Sequence, residues 1–158
     1  MVVTSFSSRA MPLIRYRIRD AAVLEQAGQC HCGRAMPRVR TISGRLDDMV
    51  YTQDRGWVGR LSQAVKVFPG SIVEAQIVQN SVDEIVIRLV PDPARFMEAQ
   101  LQPLLVDLRS RLGELVRLRV DYVKEIPKGP NNKFKYVVCN LSPEEKNRLR
   151  SVAKVGSV

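Results

Sequence analysis

The feature that most narrows the folds open to this chain is a pair of β-branched runs, SIVEAQIVQN and EIVIRLV, separated by the three residues SVD. Val and Ile are stiff at χ1 and fit a pleated, half-buried surface. Two such runs around a short polar turn predict an antiparallel pair. The segment DPARFMEAQLQPLLVDLRSRLG follows at once and reads as helical, with Asp92 as cap, Pro93 at the first position and Gly113 at the end. Leu101, Leu104, Leu105, Leu108 and Leu112 keep helical spacing, while Pro103 inside the pattern predicts a kink or a second start. VRLRVDYV, in which Arg117 and Arg119 alternate with apolar residues, is a further strand.

Around this block the chain is rich in short strands. MVVTSF reads as one, and MPLIRYRIRD as a second with a period of two that ends on Asp20, where strand gives way to loop. AAVLEQAGQCHCGRAMPRVR is mixed and turn-rich, and RTISGR is another short strand. DDMVYT and WVGRL flank QDRG as a β-hairpin. IPKGPNNKFKYVVC is a polar loop running into a strand, and SPEEKNRLRSVA is a short helix capped by Ser142. The order of elements is α+β. A compositional break near residue 47 places a boundary there, with a small compact unit after it.

At 158 residues, with 45% hydrophobic and 26% charged side chains, the chain is about one domain long and can bury a real core. Nothing approaches the ~18 successive apolar residues of a membrane span, and the N-terminus does not read as a signal peptide. Cys30, Cys32 and Cys139 make no disulfide framework. A cytoplasmic protein is the expectation. The net charge of +9 is uneven: residues 1–50 carry eight basic and four acidic side chains, residues 51–100 five and six, and residues 101–158 twelve and six. A positive field of this kind attracts nucleic acid, an anionic membrane surface or phosphorylated small molecules. A merely solvated basic surface is the alternative.

Three stretches could carry chemistry. Cys30-His31-Cys32 puts three metal-ligating side chains together, but zinc sites space paired cysteines more widely and need four ligands. With Cys139 alone elsewhere, no complete site can be written within one chain, so no metal is expected. A loop with incidental thiols and half of a site completed from outside both stay open. His31 is the sole histidine, which rules out a Cys-His or Ser-His nucleophile anywhere but on that loop. Asp47 and Asp48 would point to opposite faces of a strand, which makes them a poor acid/base dyad. A joint between two segments fits them better. Finally, IPKGPNNKFK places Lys128, Lys133 and Lys135 in or beside a Gly/Pro/Asn loop; it is no Walker loop, yet a lysine there is a good point charge for a phosphate.

RYRIRD at 15–20, GRLDD at 44–48 and IPKGPNNK at 126–133, in that order, resemble the end of the adenylate-forming superfamily of acyl-CoA synthetases. CHCGR, AQIVQNSVDEIVIRLV and NKFKYVV are most similar to its phenylacetate–CoA ligase and CapK-like branch, which includes proteins encoded beside polysaccharide biosynthesis genes. The resemblance implies that residues 1–46 are the incomplete end of a large N-terminal AMP-binding domain. Residues 47–158 would then be the C-terminal lid, a β-hairpin plus a three-stranded sheet with flanking helices. It implies that Asp20 binds the ribose hydroxyls of ATP or AMP and that Arg45 lies beside the nucleotide. Asp47 would be the hinge of the lid, and Lys133 the catalytic lysine brought to the α-phosphate and carboxylate. ATP with magnesium, a small-molecule carboxylate and coenzyme A as thiol are the implied ligands.

Two residues depart from the family pattern: Arg19 and Asn132 each stand where glycine is usual. The first could crowd the ribose site; the second is milder, since Asn tolerates left-handed backbone. The family's phosphate loop and acyl pocket belong upstream of Met1, so the chain is expected to be inactive without an N-terminal adenylation domain or a partner chain that supplies them. The rival reading is a small basic nucleic-acid-binding module, with Arg117 and Arg119 tracking a backbone. Aromatics are only 6% and form no stacking stripe, so nucleic acid is not the expected partner.

Overall fold

The computed structural model describes residues 1–7, 9–25, 30–33, 38–66, 70–129 and 132–155. It divides into two compact units, Met1–Asp47 and Asp48–Val158.

The first unit is built from two ribbons. β1 (Val2–Val3) pairs antiparallel with β2 (Tyr16–Arg17), and β3 (Asp20–Leu24) pairs antiparallel with β4 (Val39–Arg45). The sequence pattern placed Asp20 at the end of a long strand; instead it opens β3. Arg19 interrupts the run at φ 60°, a left-handed conformation that ends one ribbon and starts the other. The turn-rich reading of the following residues is corrected in part, since Asp20–Leu24 and Val39–Arg45 are strands and, of the described residues between them, 30–33 make a turn. Residues 26–29 and 34–37 lie outside the described residues. A 3-10 turn, Leu46–Asp48, leads to the division point.

The second unit has a four-stranded sheet in the order β10-β7-β8-β9. β5 (Val50–Thr52) and β6 (Gly56–Val58) form the expected hairpin, followed by α1 (Ser62–Lys66). β7 (Ile72–Ser81) and β8 (Glu84–Pro91) are the antiparallel pair that the β-branched runs predicted. A 3-10 turn, Glu98–Leu101, leads into α2 (Gln102–Leu112). From there the chain returns as β9 (Arg117–Tyr122), parallel to β8, the pairing that a helical crossover permits. β10 (Val137–Cys139) adds a strand parallel to β7, so the sheet is one strand wider than the three expected; α3 (Pro143–Val155) closes the unit. The α+β class stands.

The helix after β8 starts later than Asp92. The Asp92 carboxylate does cap, accepting the Ala94 N–H at 2.9 Å, but it caps a turn. Pro103 falls at the start of α2, where its missing N–H costs nothing: it marks the second start, not a kink. One face of the hairpin, Ala75, Ile77, Ile85, Ile87 and Leu89, meets Leu104, Leu108 and Leu112 of α2 in a single buried cluster with Val50, Leu61 and Val137. The Cα partners Ala75–Leu89 and Ile77–Ile87 put these side chains in register. Burial of such side chains contributes roughly 1.5–3 kcal/mol each. Ser142 and Glu145 form a reciprocal capping box on α3, at 3.1 and 2.9 Å.

Candidate nucleotide and lid-lysine residues

In the first unit, β3–β4 pairing sets Asp20 directly opposite Arg45. Residues so placed share a face of the ribbon with Cβ atoms about 4.5–5.5 Å apart. Twenty-five positions of sequence are thus folded into one acid–base neighbourhood. Among the described residues neither side chain is in an ion pair, so a carboxylate acceptor and a guanidinium donor stand side by side. The Asp20 carbonyl, not its carboxylate, takes the N-terminal ammonium at 2.8 Å.

Arg19 pairs with Asp47. Its guanidinium donates to the Asp47 carboxylate at 3.0 Å, and its carbonyl accepts the Leu46 N–H at 3.0 Å. Both side chains of the ion pair are about two-thirds exposed, at 68% and 64%. An ion pair this exposed is worth about 0–1 kcal/mol. Asp47 and Asp48 lie in a 3-10 turn, where successive side chains diverge by about a third of a turn. The turn does not set the two carboxylates side by side, and the two units divide between them.

In the second unit, Lys133 follows Asn132, which adopts φ 55°. The Lys133 carbonyl accepts the Gly129 N–H at 3.0 Å and closes the loop on itself. Pro130 and Asn131 lie outside the described residues. Downstream the chain is stitched to β7: the Gln76 amide donates to the Lys135 carbonyl, and the Ile77 N–H donates to the Tyr136 carbonyl, each at 2.8 Å. Lys133 is exposed, so a fixed main chain carries a solvent-facing cation. A groove of about 350 Å³ runs beside the loop, with Lys66, Lys128, Asn132, Phe134 and Tyr136 in its walls. Lys133 is not among its described lining residues. The Lys66 ammonium lies 4.7 Å from the Tyr136 ring centroid, a cation–π contact.

This groove is not legible in the sequence, because α1 is too short to show a period. Nor is the role of Gln79, which is fully buried. Its side-chain amide donates to the Tyr51 carbonyl at 2.6 Å and accepts the Tyr51 N–H at 2.8 Å, tying the β5–β6 hairpin to the sheet. Arg117 and Arg119 both turn onto Glu84, at 3.0 and 3.9 Å, so the basic stripe on β9 is partly neutralised. Among the described residues no three His, Cys, Asp or Glu side chains converge on a point where a metal ion could sit. No described helix is long and apolar enough to cross a membrane.

Protein CapK of Staphylococcus aureus is 27% identical over 143 residues, covering 89% of this chain. The chain spans 32% of that relative's length. Among solved structures it is similar to 2-hydroxyisobutyryl-CoA ligase in an open conformation with 2-HIB-AMP and CoA, at TM-score 0.48 and 23% identity over 80% of this chain and 29% of that one. It is also similar to apo MatB from Rhodopseudomonas palustris, at TM-score 0.44 and 20% identity over 78% of this chain and 22% of that one. The CapK C-terminal domain family matches residues 50–140, which take in the β5–β6 hairpin, the four-stranded sheet, α2 and the Lys133 loop. By that match over more than half of its length, this chain belongs to the CapK C-terminal domain family.

Proposed function

We propose that this chain is the C-terminal portion of an adenylate-forming ligase. The whole enzyme would convert a carboxylate and ATP into an acyl-adenylate and pyrophosphate, then transfer the acyl group to a thiol, with coenzyme A as the thiol. Residues 1–46 would end the large AMP-binding domain and residues 47–158 would form its lid. The observation that carries this reading is the β3–β4 register, which sets Asp20 opposite Arg45 just before the point where the two units divide. A carboxylate can accept both hydroxyls of a ribose, and a neighbouring guanidinium can face the attached phosphate. Asp47 serves as the hinge: the exposed Arg19 pair holds it in one setting at small cost and can be released as the lid turns. Lys133, presented by a loop anchored on β7, supplies positive charge where negative charge develops on the phosphoryl and carboxylate oxygens. Rotation of the lid would bring it in and exclude water.

The test supplies an N-terminal adenylation domain bearing a phosphate loop, in trans or by fusion. Carboxylate-dependent ATP–pyrophosphate exchange should then appear. Lys133→Ala should slow it by roughly 10²–10³-fold, the usual cost of losing one preorganised charge stabiliser. Lys128→Ala and Lys135→Ala should cost far less, and thioester formation from preformed acyl-adenylate should largely survive the Lys133 change. Equal behaviour of all three lysine variants would remove Lys133 from its role.

A further inference from the structure

Apart from the residues given roles above, the first unit brings together a second pair of reactive groups. Cys30 and Cys32 flank His31 in a tight turn, closed by the Gly33 N–H donating to the Cys30 carbonyl at 2.8 Å, with Gly33 at φ 76°. The turn throws both thiols to one side, where Cys32 Sγ lies 3.1 Å from Cys30 Sγ. That is about 1 Å beyond the ~2.05 Å of a disulfide bond, a gap that small side-chain rotations can close. Cys32 is exposed and Cys30 half-buried, and neither is bonded to another cysteine. The Cys32 main chain and then its thiol hydrogen-bond to Cys30; these outweigh partial desolvation and, with a weaker bond from Arg38, hold the Cys30 thiol below its ordinary pKa. Arg38 is itself fixed by Glu25 at 3.1 Å, and Leu24 partners Val39 beside it. The turn therefore sits at the end of the β3–β4 ribbon away from Asp20 and Arg45.

We propose that Cys30 and Cys32 form a reversible dithiol–disulfide couple that exchanges with small disulfides. The Cys30 thiolate attacks one sulfur of a disulfide RSSR, forming a mixed disulfide and releasing RS⁻, which takes up a proton. Cys32 then gives up its proton and attacks the Cys30 sulfur of that mixed disulfide, displacing the second RS⁻. Two thiols of the chain are oxidised by two electrons, and one RSSR is reduced to two RSH. A bond closed across one intervening residue makes a small, exposed ring. Strained and exposed disulfides have the more oxidising potentials, so the couple belongs with labile bonds rather than structural ones. Cys139 takes no part: its thiol donates to Gln79 Oε1 at 3.5 Å in the sheet of the second unit. This inference does not depend on the ligase reading.

The experiment equilibrates the full chain, as wild type and as Cys139→Ser, in buffers of stepped oxidised-to-reduced glutathione ratio. Free thiols are then alkylated and the tryptic peptide 20–34 is weighed. Both alkylation sites should vanish together, with no glutathione adduct accumulating, and both should return in reduced glutathione. Cys32→Ser should instead trap a stable adduct on Cys30, formed roughly ten-fold faster than the adduct on Cys32 in Cys30→Ser. In denaturing urea the intrachain bond should require a more oxidising buffer. Independent adducts on the two cysteines of the wild type, disulfide-linked dimers in place of the intrachain bond, or a midpoint unchanged by urea would overturn the proposal.

Discussion

The two units are held together by different means. In residues 1–47 not one described residue is buried, whereas the second unit buries a continuous cluster from Val50 to Val137. Phe6 and Ile14 stand 92% and 72% exposed, while Leu108 and Ile87 are fully buried. The first unit is two ribbons of main-chain hydrogen bonds; the second is a sheet with a helix laid across it. A two-stranded ribbon without a covered apolar face is marginal in water. The lesson is that the second unit has the means to fold by itself and the first does not. Under the reading proposed above, that difference suits the end of one domain joined to a small lid that must move as one piece.

The sharpest way to break the comparison is to cut one side chain from each unit. Leu108→Ala, in the α2–sheet cluster, should cost roughly 2–5 kcal/mol, the range for opening a cavity in a packed core. Ile14→Ala should change stability by no more than about 0.5 kcal/mol. Urea unfolding followed by the fluorescence of Trp57, the single tryptophan, reports the second unit directly. If the two variants lose similar amounts, the first unit has a core of its own and the contrast fails.

The same contrast explains what could be read from the sequence. β7, β8, α2 and β9 were legible because their apolar residues repeat with the period of a strand or a helix, and burial enforces that period. Where nothing is buried the pattern carries little information: RYRIRD alternates like one strand, yet Arg19 breaks it and starts another at Asp20. β10 was hidden from the count of the sheet because its place is fixed by a parallel pairing with β7, across a long intervening chain. Of the candidate site, the residue types were legible through motifs, and the opposition of Asp20 and Arg45 was not. That opposition depends on register shifts at Ala21/Ala22 and Val23/Leu24, which alternation does not encode.

A buried polar tie sharpens the picture of the second unit. Replacing Gln79 by Leu keeps the volume close but strips both main-chain groups of Tyr51 of their partners. An unsatisfied group costs about 1–3 kcal/mol when fully buried; Tyr51 is only half-buried, so the two together should cost about that much, below Leu108→Ala. Amide exchange at Tyr51 should rise with it. Unchanged protection there would show that the hairpin is held by packing alone.

A smaller effect is expected at the end of α2. Gly113, at φ 87°, leaves room for the Asp54 carboxylate, which accepts the Glu114 N–H at 2.8 Å. Desolvation pushes the Asp54 carboxyl up, but the N–H groups of Glu114, Asp54 and Leu115, together with Arg55, outweigh it and leave it below the ordinary value. A folded-state value lower than the unfolded one gives stability that is present above the unfolded pKa and lost as pH falls through the folded one. Asp54→Asn should therefore be less stable than wild type at neutral pH, with the gap closing below the usual carboxylate range. A gap independent of pH would mean that the carboxylate's charge contributes nothing.

The smallest effects are expected at two residues of left-handed backbone. Arg19 and Asn132 both adopt left-handed backbone, at φ 60° and φ 55°. An L-residue held there costs roughly 1–2 kcal/mol, less for Asn, and glycine gives back part of that gain through the entropy it loses on folding. Asn132→Gly should thus stabilise the second unit by a few tenths of a kcal/mol, roughly. Arg19→Gly also removes strain, but it gives up the exposed pair with Asp47 and lies in a unit that Trp57 does not report. Its unfolding midpoint should match wild type, while amide exchange at Leu46, whose N–H binds the Arg19 carbonyl, should change. A shift of the Trp57 transition by Arg19→Gly as large as that by Asn132→Gly would mean that the units unfold together, and the division at Asp47 would then describe shape rather than stability.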